Sequence, residues 1–349
     1  MLQSIASILK TPSHLLAHKF NYNKFIRLSA FDKSSHPSEI AQPLPGLLLS
    51  TDIKNLDTDE LLLESGDMQV FIASTKKIPF IMQEIARLRE ITFREIGEGT
   101  GKAADIDKYD KYYKQLFLWN KKTLEVVGGY RLGLTDVILK SKGKKGLYSH
   151  SLFKINSEFF NAYPEAIELG RSFVRPEYQR SFSPLMLLWK GIMLFVYNNP
   201  KYCILYGPVS ISNDYSPVSQ NLLINFLQQN CSDAKLEKLI KARTPYKIKK
   251  DEKHSLSCMK NLALDEISTL ISSLEEDNKG VPVLVKQYLK LNGTMLSFNR
   301  DSNFADCIDG FIRVDFREAG EKNLAKYMGK AQALQYMQRH DKTAVQTAG

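Results

Sequence analysis

Between residues 68 and 230 the hydrophobic period switches back and forth between two and 3.6, and the order of those switches restricts the fold severely. MQVFIAS (68–74) alternates Met68, Val70 and Ile72 on one face, as a strand does. Pro79 stands where helices begin, and Ile81, Ile85 and Leu88 then recur at helical spacing, with Arg87, Glu90 and Arg94 on another face. GEGTG (97–101) suits the helix exit. QLFLWN (115–120) and LEVVGGYRLG (124–133), joined by a short polar turn, predict an antiparallel hairpin. AIELGRSFVRP (166–176) predicts a strand, Ser183-Pro184 opens an apolar helix to about Tyr197, YCILYGPVS (202–210) predicts a strand, and SPVSQNLLINFLQQN (216–230) a helix. Strand, helix, hairpin, strand, helix, strand, helix describes an α/β (α+β) domain with a mixed central sheet flanked by helices.

That unit is expected over 61–255. Residues 1–60 read as an extension, because 32–45 (DKSSHPSEIAQPLP) has linker composition and order is expected to begin near Leu61. Its first stretch (Leu2, Ile5, Ile8, Leu15, Leu16) either packs on the domain or lies on a membrane. Residues 256–349 read as a C-terminal α/β cap, with helices near 264–274, 281–291 and 321–338 and a strand at 311–316. LKSKGKKG (139–146) reads as a basic loop. A chain of 349 residues can bury a substantial core, and 25% charged with 43% hydrophobic residues excludes a fibrous or disordered protein.

The four cysteines lie far apart and no His-Glu-x-x-His occurs, so neither a zinc site nor a redox pair is implied and a reduced, cytoplasmic setting fits. No metal is expected. The longest apolar run, Pro184 to Tyr197, is broken by Lys190 and Gly191 and falls short of the roughly 20 residues a membrane span needs. The amino terminus lacks the pattern of a signal peptide. A cytoplasmic protein, either free or peripheral on the inner face of the membrane, is the expectation. The net charge of +10 attracts something acidic, and lysines concentrate at 140–145 and 235–250. No helix-turn-helix, zinc finger or aromatic RNA motif accompanies them, which argues against nucleic acid.

Eight short pieces carry a resemblance: LLLESGD (61–67), RLREITFREIGEGTG (87–101), DIDKYD (105–110), QLFLWN (115–120), VVGGYRLG (126–133), ELGRSFVRPEYQR (168–180), LLWKG (187–191) and GPVSISNDYSP (207–217). In this order and spacing the chain resembles the GNAT-type acyltransferases that include ornithine lipid synthases, often labelled hemolysin-like, and the related acyl-homoserine-lactone synthases. The resemblance implies a mixed, mostly antiparallel sheet with a splayed strand at 168–176 whose backbone pairs with the pantetheine arm of an acyl donor. It places Arg171, Phe173, Val174, Arg180, Ser181, Phe182 and Ser183 at the donor. The usual glycine-rich turn is replaced here by Ser181, Phe182 and Ser183. That departure favours an acyl-carrier-protein thioester over acyl-CoA as co-substrate, with no permanently bound cofactor. The turn also precedes a helix N-terminus with Arg180 beside it, which suits a phosphate; a plain Ser-Pro helix cap is the other reading.

Acylating an amine requires a base for the ammonium proton and a polarised thioester carbonyl. Glu168, assisted by Asp107 and Asp105, is the expected catalytic set, although DIDKYD also reads as a solvated loop with helix-capping aspartates. Strand alternation puts Glu168, Gly170 and Ser172 on one face and Leu169 and Arg171 on the other unless a bulge intervenes, and Gly170 suggests a bulge or a close backbone approach. Arg131 either holds the carboxylate of an amino-acid acceptor or fixes Asp105 and Asp107, and Arg94 shares the ambiguity. The resemblance therefore implies transfer of a fatty acyl group, with or without a 3-hydroxyl, from acyl carrier protein to a small amino acid, making a lyso-aminolipid. Partners would be the carrier protein, an anionic membrane surface and a separate O-acyltransferase, since no His-x-x-x-x-Asp pair is present. The alternatives are a component of a lysophospholipid acyltransferase system and a non-catalytic module that binds carrier protein or membrane.

Overall fold

The computed structural model describes residues 37–181, 183–248, 262–302, 304 and 306–346, and it separates into two compact units through which the chain passes more than once. The first opens with α1 (Gly46–Lys54), β1 (Leu61–Ser65), β2 (Met68–Ser74) and α2 (Pro79–Glu95). After a loop it adds β3 (Lys114–Asn120) and β4 (Glu125–Leu134). Then come α3 (Thr135–Lys142), α4 (Ser149–Leu152), β5 (Phe153–Ile155) and α5 (Ser157–Ala162), which belong to the second unit. The strand β6 (Ala166–Val174) and the helix α6 (Ser183–Asn198) each pass from one unit to the other, at Gly170/Arg171 and Ile192/Met193. The second unit continues with β7 (Ile204–Ile211), α7 (Pro217–Asn230), β8 (Ile240–Ala242), α8 (Leu264–Leu274), α9 (Val283–Leu289), β9 (Thr294–Asp301), β10 (Cys307–Asp315), α10 (Glu321–Met328) and α11 (Lys330–Gln346).

In the first unit the strand order is β1-β2-β3-β4, followed by the second half of β6. Each of the first three pairings is antiparallel, and β2 pairs with β3 residue for residue from Met68–Asn120 to Ser74–Lys114. β3 is buried on both faces: the consecutive Leu116, Phe117 and Leu118 are fully enclosed, as is Val70 of β2, and Phe71 stacks on Phe117. Two glycines permit close approach. A Cβ at Gly128 would lie 2.6 Å from the carbonyl oxygen of Phe173, and one at Gly191 would lie 2.5 Å from the Val70 side chain, so β4 meets β6 and α6 seats on β2 only with hydrogen at those positions. Trp119 and Trp189 complete this core, Trp189 standing edge-on to Tyr130.

The second unit orders its strands as the first half of β6, then β7, β10 and β9. β6 and β7 are parallel over only Ala166–Ile204 to Glu168–Tyr206, while β7–β10 and β10–β9 are antiparallel. A separate two-stranded ribbon joins β5 and β8. The mixed, mostly antiparallel architecture agrees with the pattern of periods.

Several expectations need correction. Order begins before Leu61: 46–60 form α1 and a 3-10 turn, and Asp52 reaches across to accept the Phe80 and Ile81 backbone N–H groups at the start of α2, 2.8 Å each. The basic loop at 139–146 is largely helical, as α3 and a 3-10 turn. The final helix is two helices, broken by Gly329 at φ 86°. β9 was not foreseen. Residues 1–36, 249–261 and Phe182 lie outside the described residues, and with them the amphipathic start of the chain and Lys249 and Lys250. Among the described residues no helix is long and apolar enough to cross a membrane.

Candidate active site

Loop 99–110, helix α2 and strands β4 and β6 bring six charged groups of the first unit together. α2 supplies Arg89, which Ile85 one turn earlier and Phe93 one turn later carry into the interior. Its guanidinium donates to Asp110 Oδ1 at 2.9 Å and to Gln115 Oε1 at 2.7 Å. Asp110 also lies 3.3 Å from Arg131 of β4, which donates to Asp107 Oδ1 at 2.7 Å. Arg171 of β6 sets its Nε 2.8 Å from Asp105 Oδ2 and its Nη2 3.5 Å from Asp107 Oδ2. Three carboxylates thus face three guanidiniums, which is how so much charge is tolerated away from water.

Local geometry explains why DIDKYD delivers its aspartates. Asp107 caps the 3-10 turn Lys108–Lys111: its Oδ1 accepts the Tyr109 and Asp110 N–H groups, and Asp110 Oδ2 accepts the Asp107 N–H. Capping and ion pairing are therefore properties of the same carboxylate. Glu90, wholly buried, accepts the Thr100 and Gly101 N–H groups, the Thr100 hydroxyl and Arg94 Nε, which shapes the glycine-rich loop. The Asp105 N–H then donates to Ala86 O and ties the loop to α2.

Environment separates the three carboxylates. Burial pushes Asp105 above the usual carboxylate range, with Arg171 and Arg89 working against it. Burial acts on Asp110 too, but Arg89 and Arg131 together outweigh it and hold that group well below the range. Asp107 keeps 23% of its side chain exposed against 3% for Asp105 and 1% for Asp110, so Asp107 is the carboxylate that an incoming molecule can reach.

The family described as acetyltransferase (GNAT) domain matches residues 88–190. A Bacteroides thetaiotaomicron protein named glycine N(alpha)-acyltransferase is 32% identical over 279 residues, covering 76% of this chain and 82% of that protein. A protein of the same name from Phocaeicola vulgatus is 31% identical over 279 residues, covering 76% and 84%. The chain belongs to the GNAT N-acyltransferases. No solved structure matches it.

Within this N-acyltransferase the foreseen site residues fall into separate groups. Asp105, Asp107, Arg131 and Arg171 converge in the first unit. Arg131 is 1% exposed, paired with Asp107 and Asp110, and lies over the Tyr109 and Tyr113 rings at 5.6 and 5.2 Å. Of its two readings, the one that fixes the aspartates describes its contacts. Arg94 also makes structural contacts, to Glu90 and to the Ser38 and Lys102 carbonyls at 2.9 and 2.6 Å, which hold the loop. Glu168 sits in the second unit, 1% exposed, and its two oxygens accept the Tyr148 and Ser149 backbone N–H groups. That carboxylate is already engaged with backbone donors. Burial, then Glu168, raises the Tyr206 hydroxyl well above its ordinary range.

On the donor side, Phe173 is buried, Val174 half-buried, and Arg180, Ser181 and Ser183 exposed. Ser181 Oγ accepts the Ser183 N–H at the start of α6. The unusual backbone of β6 falls on Arg171, at φ 53°, and not on Gly170, whose added Cβ would meet nothing within 4 Å. Arg89 and the loop-shaping role of Glu90 escaped the sequence reading. Arg89 lies four residues after Ile85, inside the apolar stripe, where a charge has to find a partner; that spacing was the available signal.

Proposed function

We propose that this N-acyltransferase moves a fatty acyl group from the phosphopantetheine thioester of an acyl carrier protein to the amine of glycine, releasing an N-acyl amino acid for membrane-lipid synthesis. The similarity to two proteins named glycine N(alpha)-acyltransferase, each matched over more than four-fifths of its length, carries the acceptor. The serines that replace a glycine-rich turn support the carrier-protein donor. Ornithine, the acceptor of the resembled lipid synthases, is the competitor, and a companion O-acyltransferase would act on a hydroxyl of the product.

The glycine nitrogen, as the neutral amine, attacks the thioester carbonyl, the C–N bond forms, the C–S bond breaks, and the sulfur leaves as the free thiol, taking the second nitrogen proton. The ammonium proton must depart first. Asp107 is the carboxylate we assign to receive it, directly or through one water, because it is the exposed member of the network. Asp105 and Arg171 hold Asp107 and β6 in position, and Glu168 orders the Tyr148–Ser149 turn.

Purified protein supplied with acyl carrier protein or CoA thioesters, and with glycine or ornithine separately, decides the reaction by product mass. N-acylglycine formed faster from the carrier protein is expected. Asp107→Asn should lower kcat by about a hundredfold or more. An ornithine product alone would move the acceptor, and no product from any pairing would sink the assignment.

A further inference from the structure

Two basic stretches almost a hundred residues apart in sequence become one surface in the second unit. β5 and β8 pair in register, so Lys154 lies directly opposite Lys241. Phe153, Ile155 and Ile240 turn inward and are buried, and the period of two sends both lysines outward, where they are exposed. Like charges placed opposite each other destabilise a ribbon unless something anionic lies over them. Arg243, just past β8, donates its backbone N–H to Leu152 O and its Nε to His150 O. Lys144 donates to Ile155 O and Ser157 Oγ. Lys145 and Lys238 are exposed nearby in sequence. Among the described residues Lys145, Lys154, Lys241 and Arg243 form no ion pair with a carboxylate.

His150 reports the resulting field. Burial first, then the positive charges of Arg243, Lys144 and Lys145, push its imidazole below its ordinary range, and no carboxylate acts against them.

We propose that this β5–β8 face is where the enzyme lies on an anionic lipid surface. The proposal takes its purpose from the lipid-product reading above, but binding itself does not require turnover. Its composition selects lipid over protein. Protein interfaces are depleted in lysine and anchored by aromatic or large apolar side chains. Here lysine dominates, and none of the exposed large hydrophobic residues falls between 144 and 155 or between 238 and 243. Flexible ammonium groups matched to diffuse negative charge are what an anionic leaflet recruits. The other lysine cluster, Lys322, Lys326 and Lys330 on α10 and α11, lines a concavity with the carboxylate of Glu321 among it and serves as the control.

Sedimentation of the full chain with phosphatidylcholine vesicles, with and without phosphatidylglycerol, tests the face. The wild type should pellet only with phosphatidylglycerol. Lys145→Glu, Lys154→Glu and Lys241→Glu combined should weaken that binding by about a hundredfold or more. The combined Lys322→Glu, Lys326→Glu and Lys330→Glu control should bind far better than that variant, and all three proteins should acylate glycine equally from a soluble thioester. Glutamine at the same three positions, a gentler change, should give an intermediate loss. Equal losses in both charge reversals would reduce the effect to net charge and overturn the proposal. So would a wild type indifferent to phosphatidylglycerol, or a β5–β8 variant that keeps its vesicle binding but demands more acyl carrier protein. Should no acceptor be acylated while the vesicle pattern holds, the docking face stands and the lipid-product reading falls.

Discussion

Arg171 combines a left-handed backbone at φ 53° with a guanidinium that is 10% exposed, and the two features cost the fold in different ways. A non-glycine residue in that conformation is disfavoured by about 1–2 kcal/mol. The pairing with Asp105 and Asp107 holds it there, and removing one member of a buried pair costs about 3–5 kcal/mol. Arg171→Gly loses the charge but relieves the backbone, whereas Arg171→Ala loses the charge and keeps the strain. Both should be strongly destabilised in urea, with glycine retaining about 1 kcal/mol over alanine. Adding Asp105→Asn to Arg171→Gly should restore part of the loss, because the stranded carboxylate goes with it. An alanine variant as stable as the glycine one would show that the backbone at Arg171 is relaxed. At this scale residue type was legible and pairing was not. Arg131, Arg171, Asp105 and Asp107 stood out as charges in a family pattern, but which guanidinium meets which carboxylate depends on contacts up to 66 positions apart, as for Arg171 and Asp105, that no local period encodes.

The junction of α1 and α2 carries a titration. Asp52 Oδ2 takes two N–H groups at the start of α2, yet burial pushes its carboxyl up to about 7, with the Ile81 and Phe80 hydrogen bonds pulling the other way. The folded value is raised above the unfolded one. Between about pH 4 and pH 7 the unfolded chain has therefore ionised Asp52 while the folded chain still holds the proton, so stability falls as pH rises through that window. A rise of that size corresponds to about 4 kcal/mol at most. The side-chain oxygen of Asp52→Asn still accepts both N–H groups without a charge, so this variant should lack the fall attributable to Asp52 and gain on the wild type between pH 4 and pH 8. Asp52→Ala should lose about 1 kcal/mol of capping at either pH. Urea midpoints at the two pH values read this out, and parallel slopes for the wild type and the Asp52→Asn variant would refute it. Elements with a clean period or a proline start were readable from sequence: β2, α2, β3 and α8 begin and end within a residue of expectation. α1 was not, since its short apolar run lies beside linker composition, and β9 was not, since TMLSFNRD follows directly on a helical pattern and ends in the polar run NRD.

At the scale of the molecule, each compact unit is assembled from three separate stretches of chain. Two strands, β4 and β6, and one helix, α6, are divided between them, β4 giving only its last two residues to the second unit, and none of these elements can form part of itself without cost, because a strand and a helix gain hydrogen bonds cooperatively along their length. Unfolding should therefore be a single transition even though contacts cluster into two groups. The chain's two tryptophans make this testable without labels. Trp119 and Trp189 both lie in the first unit and are both buried, so fluorescence reports that unit alone, while far-ultraviolet circular dichroism reports helix and strand in both. In urea the two signals should move with one midpoint and one slope. A fluorescence change completed before the dichroism change would mean that β6 and α6 fray at Gly170 and Ile192 and that the units unfold in sequence. The same pair of signals extends to the active site. Asp110→Asn leaves Arg89 and Arg131 without their shared counter-charge deep in the first unit, so it should shift both curves together by about 3–5 kcal/mol if the transition is single, and the fluorescence curve alone if it is not.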